Sequence, residues 1–185
     1  MKATGVVRKI DELGRVVIPK EVRRTLKIRD GEPLEVYTDD DGNVILKKYS
    51  TVSAVGDVAR DTAEALHATI DRSVMIMDRD AVVAVAGLDD ALLGLPMGPV
   101  AERALEMNER VGPVEEASGD IDGFILADPP PSVNWSGYCV VPITDGESAQ
   151  GLVVVVKQED DTPLAPEDVA ATRSAAAILG KMLGV

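Results

Sequence analysis

Arginine and lysine side chains are concentrated at the start of this 185-residue chain. Nine of the first thirty residues are Lys or Arg and four are Asp or Glu, so this stretch has a net charge of +5, whereas the whole chain carries −13. A basic segment at one end of an acidic chain indicates a surface for a polyanion. The side chains that could supply its chemistry are Arg8, Arg15, Arg23, Arg24, Lys9 and Lys2.

Arginine suits this chemistry because its planar guanidinium offers a fork of donors that can clamp a phosphate or read guanine. Arg8 and Arg15 flank one tight turn, DELG, and we expect them to lie near each other. Arg23 and Arg24 are neighbours on a predicted helix, about 100° apart around its axis, so that one can face a groove while the other reaches the backbone. Taken alone, however, such charges are more typical of a protected strand edge or a solvated helix face.

The basic segment needs a small folded module to position it. Residues 3–10 and 14–19 are β-branched runs that predict two strands, and Pro19 predicts the start of a short helix over 20–27. A second hairpin is predicted over 33–49, around the turn DDDG. A module of about 50 residues has little core of its own, and we therefore expect it to share a core with a second copy.

Residues 51–185 predict a different module. They carry a net charge of −15, against +2 for residues 1–50, so only the first module is expected to meet nucleic acid. An amphipathic helix is predicted over 52–70, with an apolar-leaning stripe of Val52, Val55, Ala59, Thr62, Leu66 and Ile70. An Ala-rich helix is predicted over 166–183, with strands at 73–79, 81–86, 137–143 and 151–157, a short strand at 123–127 and a loop over 110–119. This order predicts an α+β domain with a central antiparallel sheet flanked by helices.

The string TGVVRKIDELGRVVIPKEVRRTLKI, with LEVY and VILKKY after it, resembles the AbrB family of bacterial transition-state regulators. The resemblance covers residues 1–50 and implies a swapped-hairpin β-barrel dimer that binds double-stranded DNA. It also implies that Arg8, Arg15, Arg23 and Arg24 contact DNA. Lys2 is expected either to contact DNA or to add only nonspecific attraction. The added length is similar to sporulation-stage regulators with a GAF-like second domain, and this implies a homotetrameric transcription factor.

GAF domains often hold a small molecule against their sheet, and three aromatic residues could line such a pocket. These are Phe124, Trp135 and Tyr138. The simpler alternative is that residues 51–185 only hold the oligomer together.

Other functions are disfavoured. No constellation of His, Cys and carboxylates suits catalysis, and we predict neither an enzyme nor a cofactor or metal site. The single cysteine, Cys139, is expected to be a buried thiol, and the chain, which begins with no signal peptide, is expected to be cytoplasmic and nucleoid-associated. A second hypothesis is an antitoxin-like module that neutralises a protein partner, although the long, patterned C-terminal part is unlike an antitoxin tail.

Overall fold

The computed structural model describes residues 5–26, 28, 30–31, 33–48, 56–108, 110–114, 123–127, 135–146 and 148–183. The chain forms two compact units, Met1–Tyr49 and Ser50–Val185. Lys2, the predicted linker at Ser50 and Thr51, and the three successive prolines at 129–131 lie outside the described residues.

The second hairpin of the first unit is present as predicted. Strands β1 (Leu34–Thr38) and β2 (Val44–Lys48) pair antiparallel. The turn between them is closed by Asp39, whose carboxylate accepts the backbone N–H groups of Asp41 at 3.1 Å and Asn43 at 2.8 Å. The Asp-rich loop is therefore a self-contained turn in which one carboxylate replaces missing backbone partners.

The two strands predicted over 3–10 and 14–19 are not formed among the described residues 5–19 of the single chain. A strand needs a neighbour to satisfy its backbone N–H and C=O groups. Among the described residues of this stretch, backbone pairing occurs only at the turn, where the Asp11 N–H donates to the Arg15 carbonyl at 3.0 Å. The predicted helix does form, as α1 (Lys20–Thr25).

The second unit is built on a five-stranded antiparallel sheet, and the predicted α+β class is confirmed. Its strands are β3 (Ser73–Met77), β4 (Val82–Ala86), β5 (Val111–Val114), β6 (Trp135–Thr144) and β7 (Ala149–Gln158). Their order across the sheet is β4-β3-β7-β6-β5. The helices are α2 (Gly56–Ile70), α3 (Pro99–Met107) and α4 (Pro166–Leu183).

Both faces of this sheet are covered, because alternate residues of its central strands enter two separate cores. Val153 and Val155 of β7 lie in the core under α2 and α4, whereas Val154 and Val156 lie in the core under α3. Central strands buried on both sides read as continuous apolar runs, which is why the run LVVVV at 152–156 was enough to predict β7. None of the described helices is long and apolar enough to span a membrane.

Three parts of the second unit differ from the sequence prediction. Val111–Val114 is strand β5 rather than loop, because pairing with β6 outweighs the poor strand propensity of its Gly and Pro. Residues 123–127 form only an isolated bridge, Met97↔Ile125, instead of a strand. In α2 the structure buries Ala63, whereas the predicted stripe ran through Thr62, whose hydroxyl donates to the Val58 carbonyl at 2.7 Å.

Candidate nucleic-acid interface

The turn at residues 11–14, which we call the basic turn, positions the first group of basic residues. Arg8 and Lys9 precede the turn and Arg15 follows it, and all three side chains are exposed. Gly14 adopts a φ of +76°, which favours glycine, and its N–H donates to the Asp11 carbonyl at 2.9 Å. The turn thus reverses the chain between Arg8 and Lys9 on one side and Arg15 on the other.

A single carboxylate organises this turn. Asp11 Oδ1 accepts the backbone N–H groups of Leu13 at 3.0 Å and of Arg15 at 2.8 Å. Asp11 Oδ2 accepts the Arg15 Nε–H at 2.8 Å, although the Arg15 side chain is still 69% exposed. The pKa of Asp11 is lowered, chiefly by the backbone N–H of Arg15 and further by its guanidinium, while desolvation opposes the shift.

Helix α1 carries the second group. Pro19 precedes the helix and its carbonyl accepts the Arg23 N–H at 2.9 Å, so that no side-chain cap is used. Arg24 is exposed, whereas Arg23 is half-buried and donates through Nη1 to the Asp30 carboxylate. The Arg23 Nε–H is buried without a hydrogen-bond partner among the described residues. The two neighbouring arginines therefore differ in their surroundings.

Apolar side chains of the same segment are exposed, although β-branched and aliphatic residues usually enter a core. Val7 is 89% exposed and Val17 is 71% exposed. We call six of these residues the front apolar set: Val6, Val7, Ile10, Leu13, Val16 and Val17. Six exposed apolar side chains within twelve residues of the chain indicate a contact surface.

The three predicted pocket residues of the second unit lie together. The Phe124 ring packs edge-on against Tyr138, with centroids 4.7 Å apart, and tilted against Trp135 at 5.4 Å. A β-bulge between Trp135 and Gly137 shifts the indole onto the sheet face that holds the α3 core. Phe124 and Trp135 are buried, and within the described part of the chain the indole Nε1–H has no hydrogen-bond partner.

Two open grooves lie elsewhere on the second unit. The larger, of about 820 Å³, is lined by α2 and β4, and the smaller, of about 500 Å³, by α4 and β6. None of the three aromatic residues lines either groove. Among the described residues no group of three His, Cys, Asp or Glu side chains could hold a metal ion. Cys139 is buried, and desolvation raises its pKa to about 11.

Sequence reasoning missed two acidic residues of the interface, Asp11 and Asp30. Both were counted only as negative charges that offset the basic segment. The signal for Asp11 was present in the sequence, because Asp at the start of a four-residue turn often accepts N–H groups two and four positions later. The Asp30 contact depends on how the chain folds back after α1, which the sequence pattern does not give.

Comparison with known proteins matches the two parts of the chain separately. The family described as "Stage V sporulation protein T C-terminal, transcription factor" matches residues 54–184, and the family described as "Antidote-toxin recognition MazE, bacterial antitoxin" matches residues 7–53. Among single proteins, the chain is 40% identical over 184 residues to stage V sporulation protein T of Bacillus subtilis, covering 99% of both chains. It is also 56% identical over 64 residues to the transition state regulatory protein AbrB of Bacillus subtilis, covering 33% of this chain and 66% of the relative.

The fold of the second unit is found in solved structures as well. The GAF domain of an Acinetobacter phosphoenolpyruvate-protein phosphotransferase has a TM-score of 0.58, with 17% identity over 70% of this chain and 81% of that chain. At this level of identity the likeness concerns the fold, and the GAF-like architecture expected for the second unit is confirmed.

Proposed function

This chain belongs to the stage V sporulation protein T family, and on that premise we propose that it is a DNA-binding transcription regulator of sporulation-stage genes. The observation that carries the proposal is the basic turn, where Asp11 holds Arg15 and where Arg8 and Arg15 are both exposed. Arg23 and Arg24 follow on α1. These four arginines, with Lys9 and Lys2, are the proposed DNA contacts.

The front apolar set supports a dimer as the DNA-binding form. Its side chains are exposed in one chain, and the backbone of residues 5–19 has strand-forming sequence without a strand partner among the described residues. Exposed apolar side chains and unpaired strand backbone are both unfavourable. A second copy that interleaves its own residues 5–19 buries valine side chains and pairs the backbone N–H and C=O groups. Two copies then present eight arginines across a two-fold axis, which matches two half-sites on DNA.

The second unit is proposed to join two such dimers into a tetramer. Its helix α4 exposes Ile178 and Met182, which are 56% and 45% exposed. Its acidic charge repels nucleic acid, so its contribution is to spacing and regulation and not to DNA contact. The protein is proposed to act in the cytoplasm at the nucleoid, and not as an enzyme, in keeping with its relative, stage V sporulation protein T.

The cluster of Phe124, Trp135 and Tyr138 is the proposed place for a small-molecule regulator of the second unit. The buried Trp135 Nε1–H, which has no partner among the described residues, supports this, because an unsatisfied buried donor costs free energy that a ligand acceptor would recover. Replacing Trp135 by Phe removes the donor and keeps an aromatic ring, but the smaller ring leaves part of the buried indole volume empty. We expect Trp135→Phe to lower the unfolding temperature modestly and to reduce the thermal shift caused by a small molecule that accepts the Trp135 Nε1–H, and an unchanged shift would contradict this place for the ligand.

The DNA-binding proposal is tested by a salt titration of affinity. Fluorescence anisotropy with a labelled duplex selected by the protein from a random pool gives Kd at several KCl concentrations. If at least four phosphates are neutralised, log K falls against log salt with a slope of about −4 or steeper. A slope near zero, or no binding to any duplex at low salt, overturns the proposal.

The match of residues 7–53 to an antitoxin family supports a second candidate function, that of an antitoxin. In that case the first unit would bind a protein toxin, and DNA contact would be secondary. Co-expression with the genes that adjoin its own tests this, since an antitoxin co-purifies in fixed stoichiometry with a small basic partner whose toxicity it suppresses. Suppression of toxicity would support the antitoxin function, and recovery of the chain alone would contradict it.

A further inference from the structure

We propose that Asp11 is a positioning residue for Arg15, and that through Arg15 it sets the preference of the protein for one DNA sequence over another. This inference rests on the proposed DNA-binding function and adds to it a residue that need not touch DNA. It starts from three hydrogen bonds that Asp11 accepts, two of them from Arg15. One fixes the Arg15 backbone and the other fixes its guanidinium.

The nitrogen of Arg15 that binds Asp11 determines which guanidinium donors are still available for DNA. Arg15 uses Nε–H for its ion pair with Asp11 Oδ2, at 2.8 Å. The outer edge of the guanidinium, formed by the two terminal nitrogens, keeps its pair of parallel donors. A pair of parallel donors of this kind can match O6 and N7 of guanine in the major groove. Asp11 therefore holds the inner side of the group and leaves the reading side exposed.

Because Asp11 holds the Arg15 side chain in the free protein, this side chain loses less conformational entropy when DNA binds. A free arginine side chain samples many rotamers, and immobilising it at an interface lowers affinity for the aligned target. With the backbone N–H and the Nε–H of Arg15 bound to one carboxylate, most of this ordering is already present in the free protein. A fixed Arg15 guanidinium raises the affinity for a duplex whose bases match its donors. It adds little affinity for a duplex that is bound through phosphate contacts alone.

The negative charge of Asp11 indicates that this residue orients Arg15, because a negative charge cannot attract DNA. A carboxylate at a DNA-binding surface repels phosphates, so it lowers general affinity. The neighbouring Glu12 carries the same charge in the same turn, and among the described residues it takes no part in a hydrogen bond or an ion pair. Asp11 and Glu12 therefore form a matched pair, in which only the first is bonded to an arginine.

The test compares Asp11→Asn with Glu12→Gln in the full-length protein. Each change removes one negative charge. Asparagine keeps an Oδ1 that accepts the two backbone N–H groups of the turn, so the turn is retained while the acceptor for Arg15 Nε–H is lost. Kd is measured for a duplex selected by the wild-type protein and for a scrambled duplex of equal length and composition. Circular dichroism and sedimentation verify fold and assembly for each variant.

Asp11→Asn is expected to weaken binding to the selected duplex while binding to the scrambled duplex is unchanged or slightly tighter. The ratio of Kd for the scrambled duplex to Kd for the selected duplex, which measures sequence preference, falls about tenfold, as for the loss of one aligned bidentate contact. Glu12→Gln tightens both complexes by a similar factor and leaves the ratio unchanged. In an Arg15→Ala background, Asp11→Asn is expected to cause no further fall in the ratio.

Two results would overturn the inference. The first is a ratio for Asp11→Asn within about twofold of wild type, a smaller change than the loss of one base contact causes. The second is an equal loss of affinity for both duplexes, which would show that Asp11 serves the fold of the turn alone. If wild type binds neither duplex, the proposed function itself fails, and that outcome is distinct from both.

Discussion

The four arginines of the interface are not equivalent, because two of them are held by carboxylates through different atoms. Arg15 is held through Nε, whereas Arg23 donates through the terminal Nη1 to Asp30. A partner on a terminal nitrogen occupies the reading edge of the guanidinium. If Arg23 contacts DNA as proposed, Asp30 competes with DNA for it, whereas the proposed role of Asp11 is to orient Arg15.

This difference predicts that Asp30→Asn strengthens DNA binding. Removing the competing carboxylate frees Arg23 for a phosphate or a base, and affinity is expected to rise about three- to tenfold, the scale of one charge pair at a partly exposed site. Asp40→Asn is the matched control, because Asp40 is an exposed acid of the same unit in the β1–β2 turn. Equal effects of the two variants in the anisotropy assay would contradict the competition.

The buried thiol of Cys139 predicts a specific pH dependence of stability. Its pKa rises from 9.0 to about 11 by desolvation, so the native state binds the thiol proton more tightly than the unfolded state does. The thiol's contribution to stability is complete below pH 9.0 and is lost as pH rises towards 11. Urea unfolding of wild type and Cys139→Ala at several pH values measures this, and the difference between them is expected to shrink above pH 9.0. A difference that stays constant with pH would contradict it.

At the scale of elements, the sequence predicted best where periodicity and burial coincide. Helix α4 and strands β6 and β7 were predicted with bounds close to those observed, because each carries a long apolar pattern. Strand β5 was missed since its sequence, VGPV, has no pattern and becomes a strand through its neighbour β6. The four arginines were predicted as DNA contacts through the family resemblance, and that assignment stays a prediction. Asp11 and Asp30 were not singled out, because their hydrogen bonds to arginine appear only in the structure.

The close packing of α4 against the sheet predicts that a side chain at position 180 destabilises the second unit. A Cβ at Gly180 would collide with the backbone carbonyl oxygen of Thr144 in β6, whereas a Cβ at Gly56 in α2 would meet nothing within 4 Å. Backbone cannot yield as a flexible side chain can, so Gly180→Ala is expected to destabilise the second unit by about 2–4 kcal/mol. Gly56→Ala should be neutral or stabilising, as alanine replaces glycine in a helix. Thermal unfolding of both variants checks this, and similar melting temperatures would contradict the close approach.

At the scale of the whole molecule, the exposure of the front apolar set in one chain requires a partner. Val16 and Val17 are adjacent and 49% and 71% exposed. In the extended backbone of a paired strand they would point to opposite faces. One of Val16→Lys and Val17→Lys is therefore expected to dissociate the dimer, and the other to be tolerated. Sedimentation equilibrium distinguishes them, and a dimer that survives both changes would contradict the shared core.

The central claim is that a few arginines of the first unit bind DNA, and Arg15→Ala against Arg60→Ala tests it most directly. Each variant removes one exposed positive charge, Arg15 from the basic turn and Arg60 from α2 of the acidic unit. Measured by anisotropy with the selected duplex at one fixed salt concentration, Arg15→Ala is expected to weaken binding by about tenfold or more, the loss of one strong contact in each chain. Arg60→Ala should leave Kd within about twofold of wild type, since surface charges away from an interface contribute little. Equal Kd values for wild type and Arg15→Ala would contradict the claim.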